Sequence, residues 1–213
     1  MNRVRHIFVE TNWLVAVAAP APAHDRIPAA LELLDSAGHG RVRIYVPACC
    51  IGEARKTIRQ KLQPKEADRL RRFVRWAVEQ RFLEHEAAES ARTMLSSFEG
   101  RVASELAGLN DTVRDITGAA GVEVVHLDDA VLNMSLELYF KEIELSEFDR
   151  AVLAVVLIKA KILRAGGEAD VSFCELDSKL WPWDKRKNPR AELMKLYDDA
   201  GVRVYSDFTL QGP

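Results

Sequence analysis

Cysteine is scarce in this chain. The three present, Cys49, Cys50 and Cys174, are odd in number, two are adjacent, and none stands at zinc-ligand spacing. That excludes a disulfide framework and leaves small buried side chains in apolar contexts as the reading. Long apolar runs are missing too. The longest, Ala151 to Ile158, is far short of the roughly 20 residues that cross a bilayer. The first apolar stretch covers only Ile7 to Val9 and has no signal-peptide core. The expectation is a reduced, cytoplasmic setting with no membrane partner. No charge sign dominates: 30 Lys+Arg against 32 Asp+Glu give a net charge of −2. A cationic coat for nucleic acid and an acidic solvating tail are both excluded by that balance. Phosphate-binding Gly-rich signatures and a Gly-x-Ser-x-Gly elbow are absent, which argues against nucleotide folds and serine hydrolases. His6, His24, His39, His85 and His126 are dispersed and form no constellation.

What the chain does have is alternation. Five short β-branched runs, at 5–9, 42–46, 122–126, 171–174 and 202–205, each stand apart as a strand. The last four follow Gly breaks at Gly40, Gly121, Gly167 and Gly201. Helical patterns occupy about 27–36, 48–62, 64–80, 86–117, 128–140, 147–165 and 189–200. Gly100 and Gly108 make the long middle pattern a candidate for two helices. Strands alternating with helices predict an α/β fold, a three-layer α/β/α arrangement around a mostly parallel five-stranded sheet. One domain over 1–213 is expected, with 64–121 as a helical insertion between the second and third strands.

Ligands of open α/β sheets bind beyond the carboxyl ends of the strands, so the acids there carry the functional argument. The first strand ends in Glu10, followed by Thr11 and Asn12. After the second comes Glu53, shortly into a helix. The last long helix opens Ser146-Glu147-Phe148-Asp149, and the fourth strand runs into Glu175-Leu176-Asp177. Carboxylates gathered at one edge raise one another's pKa and call for a cation. Mg²⁺ or Mn²⁺ is the usual solution, and such ions serve in-line phosphodiester hydrolysis.

These segments, taken in order, resemble the four motifs of the PIN-domain family. Phe8-Val9-Glu10-Thr11-Asn12 is similar to its opening. Pro47 through Glu53 to Arg55 is similar to its second motif, Asp149-Arg-Ala-Val-Leu-Ala to its third, and Phe173-Cys-Glu-Leu-Asp177 to its fourth. The resemblance covers both ends of the chain but not about 64–121. It implies a PIN-like fold, divalent-metal-dependent nuclease activity most often on RNA, and an acidic cluster of Glu10, Glu53, Asp149 and Asp177 holding Mg²⁺ or Mn²⁺, with Asn12 in support. Two departures stand out. The first acid is Glu rather than Asp, and Glu175 occupies a position usually held by Thr or Ser.

Each residue also has a plainer reading. Asp149 completes a Ser146-x-x-Asp149 capping box, Glu53 sits among solvated bases, Asp177 fits a turn, and Asn12 could cap the following helix. Glu10 is the hardest to explain as structure alone, since a charged strand end is costly without a partner. Cations cluster at Arg55 to Arg75 and at Lys185-Arg186-Lys187 with Arg190, beside Trp181 and Trp183. The second group is the candidate substrate contact for a phosphate backbone. The expected function is an RNA-favouring nuclease. A non-catalytic RNA- or protein-binding scaffold, the toxin of a toxin–antitoxin pair with an antitoxin-like partner, and a small-phosphoester phosphatase are the alternatives, and homo-oligomers fit any of them.

Overall fold

A computed structural model describes residues 4–19, 27–62, 65–141 and 143–210. Five strands, β1 (Arg5–Val9), β2 (Val42–Pro47), β3 (Val122–Val125), β4 (Val171–Cys174) and β5 (Val202–Tyr205), form one all-parallel sheet in the order β3-β2-β1-β4-β5. Helices α1 (Thr11–Ala18), α2 (Pro28–Gly38), α3 (Ala48–Leu62), α4 (Lys65–Glu79), α5 (His85–Thr117), α6 (Asp129–Phe140), α7 (Glu147–Ala165) and α8 (Ala191–Ala200) flank it. The three-layer α/β/α class expected from the alternation is the class observed. No helix is long and apolar enough among the described residues to cross a membrane. His24 and Pro64, the start expected for one helix, lie outside the described residues.

β1 is the centre of the sheet and its residues from His6 to Val9 are buried, as a strand covered on both faces requires. The chain winds from β1 to β2 and β3 on one side and resumes with β4 and β5 on the other, so the direction of winding reverses between β1 and β4. Such a switch point opens a crevice at the carboxyl edge. The register sets what stands there: Val9 pairs with Cys174, so Glu10 and Glu175 follow as neighbours on strands about 4.8 Å apart.

Two expectations need correcting. The 86–117 pattern is one unbroken helix, not two. Its Ala88, Leu95, Val102, Leu109 and Ile116 recur every seven residues and are all buried; their packing outweighs the roughly 1 kcal/mol that each glycine costs a helix. The second concerns Asn12, which lies inside α1. Glu10 is the N-cap, and its side chain accepts from the Asn12 amide. The cysteines are all free, with Cys50 and Cys174 buried and Cys49 half-buried; burial pushes the Cys174 thiol up to about 12.

Gly121 supplies the turn into β3. Its φ is +79°, and a Cβ there would stand 2.4 Å from the Ala37 carbonyl oxygen. Its own carbonyl accepts from the Ile44 amide at 2.8 Å. Gly121→Ala combines a left-handed conformation with a backbone clash, so it should cost at least about 2 kcal/mol. Chemical denaturation of the variant measures this; a loss below about 0.5 kcal/mol refutes the account.

Candidate active site

Five carboxylates surround one cleft of about 140 Å³ at the switch point: Glu10, Glu53, Asp149, Glu175 and Asp177. Asn12 lines it as well, with Thr11, Thr57 and Lys179, over a floor that includes Phe148, Val152 and Leu180. Four separate stretches of sequence therefore meet in this cleft.

The two inner acids are Glu10, 6% exposed, and Glu175, 2% exposed. Each folds back on the turn that follows its strand. Glu10 Oε1 accepts from the Asn12 amide at 3.0 Å, and Glu175 Oε1 from the Asp177 amide at 2.7 Å. These bonds favour the charged forms but do not win. Burial, with smaller contributions from the Glu53 and Asp177 carboxylates, raises Glu10 to about 7. Burial again comes first for Glu175, followed by the charge of Glu10, and together they raise it to about 10. Glu175 lines the cleft beside Glu10.

The outer acids are each held by a local donor. Thr11 donates its hydroxyl to Glu53 Oε2 at 2.7 Å. Ser146 Oγ accepts from the Asp149 amide at 3.1 Å and donates to Asp149 Oδ2 at 2.6 Å. Asp149 is thus both part of the helix cap and part of the cleft wall; the two readings do not compete. Asp177 Oδ2 pairs with Lys179 Nζ at 3.2 Å. That hydrogen bond, and then the charges of Asp149 and Asp177, hold the Lys179 ammonium above its ordinary value.

The cationic loop after Asp177 is a separate feature. Lys185, Arg186 and Lys187 are exposed and do not line the cleft. Asp184 organises them by accepting from the Arg186 and Asn188 amides at 2.7 and 2.9 Å. Lys187 Nζ lies 5.2 Å from the centre of the Trp183 ring. Arg190 braces this loop, donating to the carbonyl oxygens of Lys179 and Trp181 at 2.5 and 3.3 Å. Trp181 Nε1 donates to the Glu175 carbonyl at 2.6 Å, so this indole buttresses the turn that carries the inner acid.

Sequence reasoning overlooked three cleft residues. Thr57 stands four residues beyond Glu53, a helical spacing that could have found it. Thr11 adjoins Glu10. Lys179, a single charge in a turn, gave no spacing signal at all. The donor set as a whole is oxygen-rich and mostly carboxylate, which fits a hard divalent cation. Among the described residues no three acids, histidines or cysteines stand together as a ready-made ligand group.

The inner acids make stability depend on pH. In the unfolded chain both carboxyls ionise near 4.5, whereas folded values are about 7 and about 10. The folded state then holds more protons, so the contribution is complete below about 4.5 and is lost as pH climbs through the two folded values. Metal-free protein should therefore lose stability between pH 5 and pH 8, by about 1 kcal/mol or more. Glu175→Gln, which keeps an acceptor for the Asp177 amide, should flatten the curve and melt higher at pH 8 by roughly 4 °C. Thermal melts in chelator test this; a lower melting point with an unchanged slope would refute it.

No protein-family model matches the chain, and no curated protein or solved structure matches it either.

Proposed function

We propose that this chain is a divalent-metal-dependent nuclease of PIN type, acting on nucleic acid with RNA favoured. The supporting observation is the meeting of five carboxylates from four stretches of sequence in one small cleft at the sheet's switch point. Glu10, Glu53, Asp149 and Asp177 would hold Mg²⁺ or Mn²⁺, with Glu175 as a further oxygen donor and Asn12 setting the position of Glu10 through its amide. When bound, such an ion supplies charge neutralisation at the phosphodiester and an acidified water.

The chain's own groups supply the rest. The Thr11 and Ser146 hydroxyls keep Glu53 and Asp149 aimed at the cleft, which limits the reorganisation that substrate binding requires. Glu10, with its value about 7, can hold or release a proton near neutral pH. Lys179 would offer an ammonium to a phosphate oxygen at the rim, and the loop of Lys185, Arg186 and Lys187 would attract the backbone beyond the cleft. Arg190, committed to carbonyl oxygens, serves by shaping that loop.

A second reading has one observation in its favour. Glu10 spends an oxygen on capping α1, a structural duty that a non-catalytic RNA- or protein-binding scaffold would also need. Labelled single-stranded RNA incubated with Mn²⁺, with and without EDTA, separates the two. The expected result is cleavage that needs the metal and falls at least about 100-fold in a Glu10→Gln, Asp177→Asn double variant. Absence of metal-dependent cleavage by the wild type refutes the nuclease reading; cleavage that survives the double variant refutes the site.

Lys179 yields a prediction that does not depend on turnover. Its ammonium competes with an entering cation for Asp177, so Lys179→Gln should tighten Mn²⁺ binding severalfold, up to about tenfold. The same change should weaken RNA binding and shallow its salt dependence by about one charge. Calorimetric titration with Mn²⁺ measures the first effect. Unchanged or weaker metal binding contradicts the competition.

A further inference from the structure

The hairpin of α4 and α5 has two unlike sides. Val74 and Ala77 of α4 and Leu95 of α5 are buried between the helices. At about 100° per residue, Arg71 and Arg75 fall on one side of that seam, where they meet Arg92, Ser96 and Glu99 around a groove of about 310 Å³. Arg71 and Glu99 form an ion pair across it. Phe73 and Trp76 fall on the other side, as do Met94 and Phe98 of α5. Phe82, just past the end of α4, joins them by contact with Trp76 at 5.7 Å between ring centres, and Phe73 contacts Trp76 at 5.9 Å. All of these are exposed: Phe73 is 55%, Trp76 49% and Phe82 76% accessible.

We infer that this side of the hairpin is the interface between two copies of the chain, joined about a two-fold axis as a four-helix layer. A two-helix layer with one apolar side is half of a bundle, and the missing half has to present the same kind of surface. A second copy does so by construction, because a two-fold contact pairs a patch with itself. The area is adequate. With aromatic side chains of about 200 Å², the strip exposes on the order of 600 Å² of apolar surface. The rim brings this toward the roughly 800 Å² per partner of a stable interface. Its composition, Phe, Trp and Met with arginine at the edge, is that of an interface core. The rim carries both signs, Arg72 and Arg101 with Glu105, so a two-fold contact can set an arginine of one copy against the Glu105 of the other.

A second copy fits this strip better than a nucleic acid: Arg71, Arg75 and Arg92 line the opposite side, and the arginines of the strip's rim are interspersed with Glu105 instead of forming a cationic track beside the rings. The inference stands apart from the nuclease reading and survives that reading's failure.

Sedimentation velocity on the full chain between about 1 and 100 μM tests it. The expected particle has twice the 23.9 kDa mass of one chain, with a dissociation constant of about 10 μM or tighter. A Phe73→Glu, Trp76→Glu variant should dissociate at least about 100-fold more readily while keeping the wild-type circular dichroism spectrum, since both side chains are exposed. A Leu132→Glu, Leu136→Glu variant, changed on the exposed side of α6, should remain paired. A wild type that is monomeric throughout the range overturns the inference. So does pairing that survives the hairpin variant or is lost only in the α6 variant. A monomer that binds an oligonucleotide through Phe73 and Trp76 overturns it in favour of a nucleic-acid surface.

Discussion

Glu10 and Glu175 stand side by side because parallel pairing of Val9 with Cys174 leaves no other place for the next residue of either strand. Both are buried, and both carry the same potential charge. The fold tolerates them through two backbone amides, those of Asn12 and Asp177, and through raised pKa values that keep protons on the pair. The organisation of the carboxyl edge follows from this constraint. Since the inner pair cannot be neutralised by one another, the outer acids are anchored by groups other than the pair: Thr11 for Glu53, Ser146 for Asp149, Lys179 for Asp177. The cleft is thus graded, from two carboxyls that give up protons reluctantly to three that are fixed from outside. Any cation that enters has to exchange with the protons of the inner pair, so its binding and their ionisation are one linked equilibrium.

The strands were legible because each is a short run rich in β-branched residues set off by a polar or Gly break. The edge at which acids collect was legible for the same reason: a strand end is visible wherever apolar residues stop. Register was not. It depends on which strands become neighbours, and that information lies in long-range packing, so the equivalence of Glu10 and Glu175 could not be seen from either segment alone. Asn12 shows a related gap. A short polar residue before a helix reads as its cap, but the longer Glu10 side chain reaches past it and takes the amide of Asn12 itself. In the sequence the Trp181 indole is only a neighbour of a cationic run; its bond to the Glu175 carbonyl ties it to the site by a route that composition does not encode.

α5 connects the two halves of the molecule. Its first half, with Ala88, Leu95 and Val102, closes on α4, while Leu109, Val113 and Ile116 of its second half belong to the main core beside the sheet. Along that second half it packs on α1 and α3, the helices that begin at Glu10 and carry Glu53. One seven-residue period serves both jobs, which is why the glycines at positions 100 and 108 do not divide the helix. The period also explains the unsatisfied side of the hairpin. A helix of 33 residues with a single apolar stripe needs one partner surface, but Met94 and Phe98 widen the apolar arc of its first half beyond what α4 covers. An arc of that width asks for contact on two flanks, and among the described residues α4 covers one of them.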